Sequence, residues 1–278
     1  MSTTIMHLKN AGKAMIRRLA PKAAFSISLR NHFWDEIELD ILDLIVSPSR
    51  AAIDVGANSG RYSFALSRLA SHVYAIEANP HMARILRAGL DRKRVSVLHR
   101  AASDSIGKAE LLIPTDMWGF GGENLASLER SFNGPTKSIS VDKMTLDELA
   151  DKDIGFIKLD IEGHELAALQ GAKKIIAKSQ PVILLECDEL AGNQKPPSFE
   201  FLKSHGYTGY FLYSNNFYAL ADLQPFMTDL SVFRYSKPRK LVPYTNNFLF
   251  FPSGTMTESK RKAISERIRA VDKDQGPK

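Results

Sequence analysis

The sequence predicts an α/β fold built on a doubly wound, mostly parallel sheet, and three observations support this prediction. The chain has 278 residues, 44% of them hydrophobic, which suits one large domain with extensions. Short apolar runs alternate with helical patterns of about 10 to 15 residues, as in βαβ units. A glycine-rich turn directly follows the first apolar run. Because βαβ crossovers are right-handed and return in the same direction, the strands of such a sheet are mostly parallel.

The elements are predicted in chain order from these patterns. The apolar run at 33–46 predicts a helix that ends before Ser47 and Pro48. After the glycine-rich turn a helix begins near Tyr62, and another opens at Pro80, because proline suits a first helical turn. Five apolar runs are predicted to be strands of the sheet: 51–55, 73–77, 95–98, 156–160 and 181–186.

The stretch between the third and fourth strands is predicted to be an insertion over the rim of the sheet. It contains strand candidates at 109–113 and 138–141, and a short helix with the capping-box pair Thr145 and Glu148. A glycine-rich region between the two candidates is interpreted either as a lid over a substrate or as an ordinary exposed loop. The most prominent side chains of this region are Trp118, Phe120 and Asn124.

Two aromatic runs near the end of the chain, 207–213 and 247–251, are predicted to pair antiparallel. No helix of ordinary length is predicted between residues 225 and 247, so a parallel crossover has no connecting helix. The predicted organisation has three parts, which are a basic N-terminal arm with a helical extension at 1–46, a main domain at 47–253 and a charged C-terminal tail at 254–278.

The net charge of +6 comes from the first thirty residues, which hold six basic side chains and no acidic one. The rest of the chain has 31 basic and 31 acidic residues. An enzyme of nucleic acids usually carries its basic charge on the folded body. The pI of 9.3 is therefore weak support for DNA or RNA binding, and we expect no nucleic-acid partner.

The N-terminal arm has apolar residues at loosely helical spacing, and Pro21 is expected to end that pattern. Two interpretations stay open: a segment that lies on an anionic membrane surface or binds a partner, and a solvated helix. The arm has no compact apolar core of a secretory signal. The single cysteine, Cys187, is predicted to be a packing thiol in a reducing compartment. We expect a cytoplasmic protein with peripheral contact to the inner membrane surface through residues 1–30.

The segment 54–60, Asp-Val-Gly-Ala-Asn-Ser-Gly, is the most informative part of the sequence. Glycines there permit a tight turn and a close approach of a ligand to the main chain. Glu77 ends the next strand, 21 residues after Gly56, where a carboxylate can accept both hydroxyls of a ribose. These features fit either a dinucleotide site or a nucleoside site.

Two details favour a nucleoside without phosphates. The spacing G-x-x-x-G lacks the middle glycine that admits a pyrophosphate, and no Gly-Lys-Ser/Thr follows as in a Walker loop. The Asp54 carboxylate, placed ~4 Å from a phosphate, would repel it by a few kcal/mol at an effective dielectric near 20. The same carboxylate favours an ammonium or sulfonium group, which indicates S-adenosylmethionine. The alternative role of Asp54 is that of a turn or helix cap.

Several motifs together resemble the FkbM family of S-adenosylmethionine-dependent methyltransferases. The resemblance extends from about residue 50 to 215 and does not include residues 1–45. The matching motifs are 54–63 (DVGANSGRYS), 77–80 (EANP), 101–107 (AASDSIG), 145–147 (TLD), 157–165 (IKLDIEGHE) and 181–186 (PVILLE).

This resemblance implies a class I methyltransferase fold, which is Rossmann-like, with seven strands of which the last is antiparallel. Residues 47–253 would then be the methyltransferase domain. The resemblance also implies transfer of a methyl group from S-adenosylmethionine to a hydroxyl, often of a sugar or polyketide-type compound. We therefore expect O-methylation of a glycan, glycolipid or secondary metabolite. Two alternatives stay open, a non-catalytic module that binds the cofactor or a membrane, and methylation of nucleic acid.

The predicted cofactor site follows the rule that ligands of doubly wound sheets lie beyond the carboxyl ends of the strands. Asp104 or Ser103 is placed to reach the adenine amine, and Asn79 to support Glu77 at the ribose. The alternative for Glu77 is a solvated strand-end acid. The predicted cofactor-binding residues are Asp54, Gly56, Asn58, Gly60, Glu77, Asn79, Ser103, Asp104 and Asp160.

An alcohol needs a base to take its proton, and candidates follow the fourth and fifth strands. His164 suits this role because histidine titrates near neutral pH, although it could instead cap the next helix. Glu162 could satisfy amides at the start of that helix. With Asp160 and Glu186, which are expected to face each other, it could alternatively bind Mg²⁺, although we expect no metal. The predicted catalytic residues are Asp160, Glu162, His164 and Glu186.

Overall fold

The structure is a computed structural model, and two parts of the sequence analysis lie outside the residues that it describes. These are the arm before residue 19 and the three side chains Trp118, Phe120 and Asn124. The described residues are 19–30, 36–114, 126–129, 132, 134–187, 196–213, 216–222 and 246–274.

These residues form an α/β domain with a large sheet and a small one. The strands, in chain order, are β1 (Ala51–Val55), β2 (Val73–Ile76), β3 (Val95–Leu98), β4 (Ala101–Ala102), β5 (Gly107–Pro114), β6 (Thr136–Met144), β7 (Ile154–Leu159), β8 (Val182–Glu186), β9 (Tyr207–Tyr213), β10 (Asn216–Ala219) and β11 (Asn247–Pro252). The α-helices are α1 (Pro21–Arg30), α2 (Leu42–Ile45), α3 (Arg61–Leu66), α4 (Pro80–Gly89), α5 (Glu165–Gln170), α6 (Lys173–Ser179), α7 (Pro197–Ser204) and α8 (Glu258–Asp274).

The large sheet has the order β10-β9-β11-β8-β7-β1-β2-β3. The strands β3, β2, β1, β7 and β8 are parallel, which confirms the five predicted strands and the doubly wound fold. The chain runs outward from β1 to β3 and then returns to β7 on the other side of β1. The direction of winding therefore reverses between β1 and β7, where ligands of such sheets bind.

The strand β11 lies between β8 and β9 and is antiparallel to both, as predicted. The expectation of seven strands is wrong by one, because β10 adds an eighth at the edge, antiparallel to β9. Phe217 of β10 is buried and stacks on Tyr210, with ring centroids 5.1 Å apart, and Tyr218 stacks on Phe211. These aromatic contacts hold a strand that is too short to stand out in the sequence.

One helix near the N-terminus was not predicted, and one prediction there needs correction. Leu19 is helical and Ala20 is not, which agrees with the predicted break at Pro21, but Pro21 also begins the helix α1. Proline suits this first position because the first amide of a helix has no partner within it. Phe25 of α1 is buried against Gly60 and Gly89. In the region predicted as a single helix at 33–46, the described part is a 3₁₀ helix, Ile37–Ile41, followed by the short α2.

The predicted insertion forms the small sheet, with the order β4-β6-β5. The two strand predictions are confirmed, since β5 and β6 pair antiparallel along their length. A 3₁₀ helix, Leu146–Leu149, follows β6 and has the predicted capping box of Thr145 and Glu148. Between β5 and β6 in the chain, Ser127 makes an isolated antiparallel bridge with Leu112 of β5.

Apolar side chains cover both faces of the large sheet. On β1, Ile53 packs on the face that α5, α6 and α7 cover, whereas Ala52 packs on the face of α1, α3 and α4. The C-terminal segment belongs to the second face, because Ile264 and Ile268 of α8 are fully buried there. The domain boundaries at 46 and 253 stay predictions. Of the helices in the described part of the chain, none is long and apolar enough to cross a membrane.

Candidate active site

A cavity lies at the carboxyl ends of β1, β2 and β7, beside the point where the winding reverses. It encloses about 590 Å³ of space between atoms, part of which is open to solvent. The lining combines small apolar side chains with three carboxylates. The lining residues are Val55, Gly56, Asn58, Ile76, Glu77, Ala78, Arg100, Ala101, Ala102, Leu111, Ala126, Leu128, Asp160, Ile161, Glu162 and His164.

The glycine-rich turn is packed against the protein's own main chain. Gly56 has φ +76°, and a Cβ there would lie 1.8 Å from the carbonyl oxygen of Asp160. Gly60 has φ +82°, and a Cβ there would lie 2.6 Å from both Phe25 and Leu86. The close approach that we expected for a ligand is therefore made by the end of β7 and by α1 and α4. Gly56 and Asn58 also line the cavity, whereas Gly60 is not among its lining residues.

Glu77 stabilises this turn through hydrogen bonds and lines the cavity. Its Oε2 accepts a hydrogen bond from the main-chain amide of Asn58 (2.7 Å), and its Oε1 accepts one from the main-chain amide of Asn79 (2.8 Å). Burial raises the pKa of Glu77 to about 7, although the two amides oppose this shift. Each oxygen retains a second lone pair for a ligand hydroxyl. Asn79 caps α4 by accepting from the His81 amide (2.9 Å) and is not among the lining residues.

Asp54 lies behind the cavity wall. It is 1% exposed, and its Oδ2 accepts a hydrogen bond from the Ser63 hydroxyl (2.5 Å). Burial raises the pKa of Asp54, whereas the nearby charge of Lys158 opposes the shift. Its Oδ1 is buried and has no hydrogen-bond partner in the described part of the chain. Asp54 can therefore act on a ligand in the cavity through its charge but is not one of the residues that line it.

A buried lysine, which the sequence reasoning missed, organises the acidic end of the site. Lys158 is 3% exposed and lies within the buried strand β7. Its Nζ donates to Asp160 Oδ2 (2.8 Å) and lies 4.7 Å from the ring centroid of Tyr62. Burial favours a lower pKa for Lys158, but Asp160, Glu36 and Asp54 outweigh it and raise the pKa. A charged residue in an apolar strand next to a strand-end acid was the signal for this pair.

Asp160 and Glu186 meet at the ends of β7 and β8, as the strand order led us to expect. Burial, followed by the nearby charge of Asp160, raises the pKa of Glu186 to about 10. Asn246 donates its amide to Glu186 Oε1 (2.5 Å). At neutral pH Glu186 is therefore protonated, whereas Asp160 is the partner of the Lys158 ammonium.

A second acidic segment, also missed from the sequence, reaches this cluster from the N-terminal side. Glu36 Oε2 accepts from the Tyr62 hydroxyl (2.6 Å) and from the Asn247 side-chain amide (3.1 Å). Glu38 is 5% exposed, and burial raises its pKa to about 8. Neither residue belongs to a recognisable motif, so only folding shows that they lie near Asn247 and Lys158.

The loop after β7 brings His164 to the cavity, and both of its ring nitrogens have a polar contact. His164 Nδ1 lies 2.7 Å from Glu129 Oε1, and its Nε2 lies 3.0 Å from the Ser103 hydroxyl. His164 occupies the N-cap position of α5, as its alternative role required, but its side chain makes no capping hydrogen bond there. Ser103 also contacts Asp104, and neither Ser103 nor Asp104 is among the lining residues.

A carboxylate that the sequence analysis did not consider, that of Glu165, satisfies amides in this loop. Glu165 Oε1 accepts from the amides of Ile161 (3.2 Å) and Gly163 (3.0 Å). Glu162 instead takes a left-handed conformation with φ +56° and lines the cavity. In the described ranges, no group of three or more histidine, cysteine or acidic residues is arranged to hold a metal ion. The assignment of the predicted residues to cofactor binding or catalysis stays a prediction.

The lining chemistry fits a cationic nucleoside better than a phosphate. Three carboxylates, those of Glu77, Asp160 and Glu162, line the cavity, and the one arginine of the lining, Arg100, is paired with Glu148 (2.9 Å). The small apolar residues of the lining, such as Ala102, offer a surface for an aromatic base.

Comparisons with known proteins identify one family. A family model described as the methyltransferase FkbM domain matches residues 54–208. No curated protein matches the chain. Among solved structures, the methyltransferase FkbM from Methylobacillus flagellatus KT is 17% identical with a TM-score of 0.39, and the match covers 86% of this chain and 60% of that one. The chain thus spans less than two thirds of the length of that protein.

Two further solved structures have similar scores. Precorrin-6y C5,15-methyltransferase from Geobacter metallireducens GS-15 is 16% identical with a TM-score of 0.40, and the match covers 77% of this chain and 85% of that one. An rRNA methylase from Streptococcus thermophilus is 11% identical with a TM-score of 0.37, with coverage of 77% and 92%.

The buried acids of the site predict a stability that falls as pH rises. Because burial raises the pKa of Glu38 to about 8 from an ordinary value of 4.5, the folded state holds a proton that the unfolded state has released between these pH values. Glu38→Gln should remove this loss of stability. At pH 8.5 its free energy of unfolding should exceed that of the wild type by up to a few kcal/mol, because each pH unit between the two pKa values contributes about 1.4 kcal/mol. Urea unfolding at pH 5.5, 7.0 and 8.5 measures the effect.

The matched control is Glu200→Gln, because the Glu200 side chain is 61% exposed. It should leave the dependence of the unfolding free energy on pH unchanged. A Glu38→Gln variant with the same pH dependence as the wild type would contradict the prediction.

Proposed function

This chain belongs to the FkbM methyltransferase family, and on that premise we propose that it is an S-adenosylmethionine-dependent O-methyltransferase. The sheet, with its last strand antiparallel between two neighbours, is that of a class I methyltransferase with one added edge strand. The proposed acceptor is a hydroxyl of a glycan, glycolipid or secondary metabolite. No feature of the described site favours methylation of nucleic acid or a non-catalytic binding role.

The position of Asp160 is the observation that carries this proposal. Asp160 lines the cavity and is at the same time bonded to Lys158 and adjacent to Glu186. Methyl transfer needs a donor site and an acceptor site that share one boundary, because the acceptor oxygen, the methyl carbon and the sulfur react in line. The cavity supports the donor side, and the cluster around Lys158 supports the acceptor side.

The donor would be held by the residues of the cavity wall. Glu77 accepts the ribose hydroxyls with the lone pairs that the Asn58 and Asn79 amides leave free. Asp160 and Glu162 make the lining negative, and buried Asp54 adds negative charge behind it. When bound, S-adenosylmethionine supplies a methyl group on a positively charged sulfur, which this lining favours over a phosphate.

The residues around Lys158 would activate the acceptor. Asp160 would accept the proton of the acceptor hydroxyl as that oxygen takes the methyl group supplied by the donor. Lys158 keeps Asp160 in place at 2.8 Å. Glu186 holds a proton at neutral pH, because its pKa is raised to about 10, and so donates a hydrogen bond instead of acting as the base. His164 is a weaker candidate, since both ring nitrogens already have contacts.

Calorimetry separates the cofactor classes. We expect S-adenosylmethionine to bind and NAD not to bind, because the lining is acidic and the turn lacks the middle glycine. Glu77→Gln should weaken binding of S-adenosylmethionine at least tenfold, while Glu200→Gln, on an exposed helix position, leaves it unchanged. Binding of NAD alone would overturn the cofactor assignment.

Two variants distinguish the roles of the strand-end acids. Asp160→Asn should lower kcat by about 10²- to 10⁴-fold, the usual contribution of a general base. Glu186→Gln, which imitates the protonated form, should lower kcat less than tenfold. The measurement follows the labelled methyl group of S-adenosylmethionine into extracts of glycans, glycolipids and metabolites.

Total RNA serves as the competing acceptor in the same assay. Methyl incorporation into RNA would contradict the proposed acceptor class. Cofactor binding without any product from these extracts would favour the non-catalytic module.

The helix α1 supports peripheral contact with an anionic membrane. Ile27 of α1 is 56% exposed and Leu19, two residues before α1, is 71% exposed; Lys22 and Arg30 of α1 are also exposed. The buried Phe25 fixes the opposite side of α1 to the domain. An exposed side with apolar and basic residues suits an anionic lipid surface.

Reversing the two exposed charges of α1 tests this contact. The variant K22E/R30E should bind vesicles that contain anionic lipid at least tenfold more weakly, at about 1 kcal/mol for each basic residue removed. Lys203→Glu is the control, because the Lys203 side chain is 76% exposed on α7. Co-sedimentation measures the binding, and equal binding of all three proteins would overturn the membrane contact.

A further inference from the structure

A row of four polar side chains crosses the rim of the cavity and has no part in the reaction proposed above. Glu129 Oε1 lies 2.7 Å from His164 Nδ1, and His164 Nε2 lies 3.0 Å from Ser103 Oγ. Ser103 Oγ then donates to Asp104 Oδ1 at 3.2 Å. The row connects three segments that are distant in the chain: the segment 126–129, the loop after β7 and the turn after β4.

The protons of this row can be counted. The hydroxyls of Ser105 and Ser103 hold the pKa of Asp104 below its ordinary value, so Asp104 is ionised and can only accept. Ser103 has one proton, which it gives to Asp104, and it must therefore accept from His164 Nε2–H. The Glu129 carboxylate, 56% exposed, accepts from Nδ1–H. All three contacts are complete only when both ring nitrogens of His164 are protonated.

The row ends on a segment that forms one wall of the cavity. Ala126 and Leu128 line the cavity on either side of Ser127. Ser127 exchanges two main-chain hydrogen bonds with Leu112 (2.9 and 3.0 Å), and its hydroxyl donates to the Glu162 carbonyl (2.8 Å). At the Glu129 end of this segment, the contact between Glu129 and His164 connects it to the loop after β7.

We propose that Glu129 is a positioning residue: through His164 it holds the wall formed by Ala126 and Leu128 against the cavity. The inference rests on the proposed function in that the ligand held by this wall is S-adenosylmethionine. It also gives His164 a role other than that of the base, since its ring connects the Glu129 carboxylate to the Ser103 hydroxyl; we call this connection the clasp.

Calorimetry with S-adenosylmethionine tests the clasp. Glu129→Ala should weaken binding about tenfold, because the contact with His164 Nδ1 is lost. Glu129→Gln, whose side-chain oxygen can still accept from Nδ1–H, should weaken binding less than threefold, and Glu200→Ala should behave as the wild type. Binding by Glu129→Ala that equals that of the wild type would overturn the proposal.

Amide hydrogen exchange of the unliganded protein at pH 6.0 is the second readout. Glu129→Ala should speed exchange of the Ser127 and Glu129 amides at least threefold, and exchange in β7 should stay unchanged. Unchanged exchange at Ser127 would overturn the clasp. If the wild type does not bind S-adenosylmethionine, the proposed function fails and so does the ligand named here, while faster exchange in the variant would still support the clasp.

Discussion

The ion pair between Lys158 and Asp160 is the interaction on which the rest of the site depends. Lys158 is almost fully buried within an apolar strand, and an unpaired charge there would be strongly destabilising. Its partner Asp160 is also the residue whose carbonyl contacts Gly56, so the pair fixes the end of β7 against the glycine-rich turn. One residue thereby connects the cavity, the turn and the acids at the ends of β7 and β8. The geometry of donor and acceptor sites in the proposed reaction follows from this single connection.

Segments outside the matched region complete the site. Glu36 reaches the cluster through Tyr62 and Asn247, and the 3₁₀ helix that follows it is tied to α8, where Arg267 donates to the Asp40 carbonyl and to the Asp43 carboxylate. On the other side of the turn, α1 packs Phe25 over Gly60. Although the family model ends at residue 208, both ends of the chain therefore contribute to the position of the catalytic candidates. The acidic segment around Glu36 is also the part of the acceptor side that no family motif covers.

Local patterns predicted the parallel strands and the capped helix well, because both depend on neighbouring residues. The strand runs are apolar and buried on both sides, and the capping box of Thr145 and Glu148 is a contact within one turn. The predictions failed where a distant contact outweighed the local pattern. The strand β10 exists because aromatic rings of β9 cover it, and a helix that was not predicted, α1, follows the break at Pro21 because Phe25 is buried over two glycines.

The sequence by itself determined the doubly wound sheet, the sharp turn after β1 and the acids that follow β2, β7 and β8, since each depends on short-range spacing. Only the tertiary structure decided which of these acids keep a proton, because protonation depends on burial and on charges far away in the chain. It likewise decided that Glu165 satisfies the loop amides, that His164 is held by Glu129 and Ser103, and that Lys158 lies at the centre. These contacts join residues that the order of the strands brings together. Their spacing along the chain therefore could not predict the contacts.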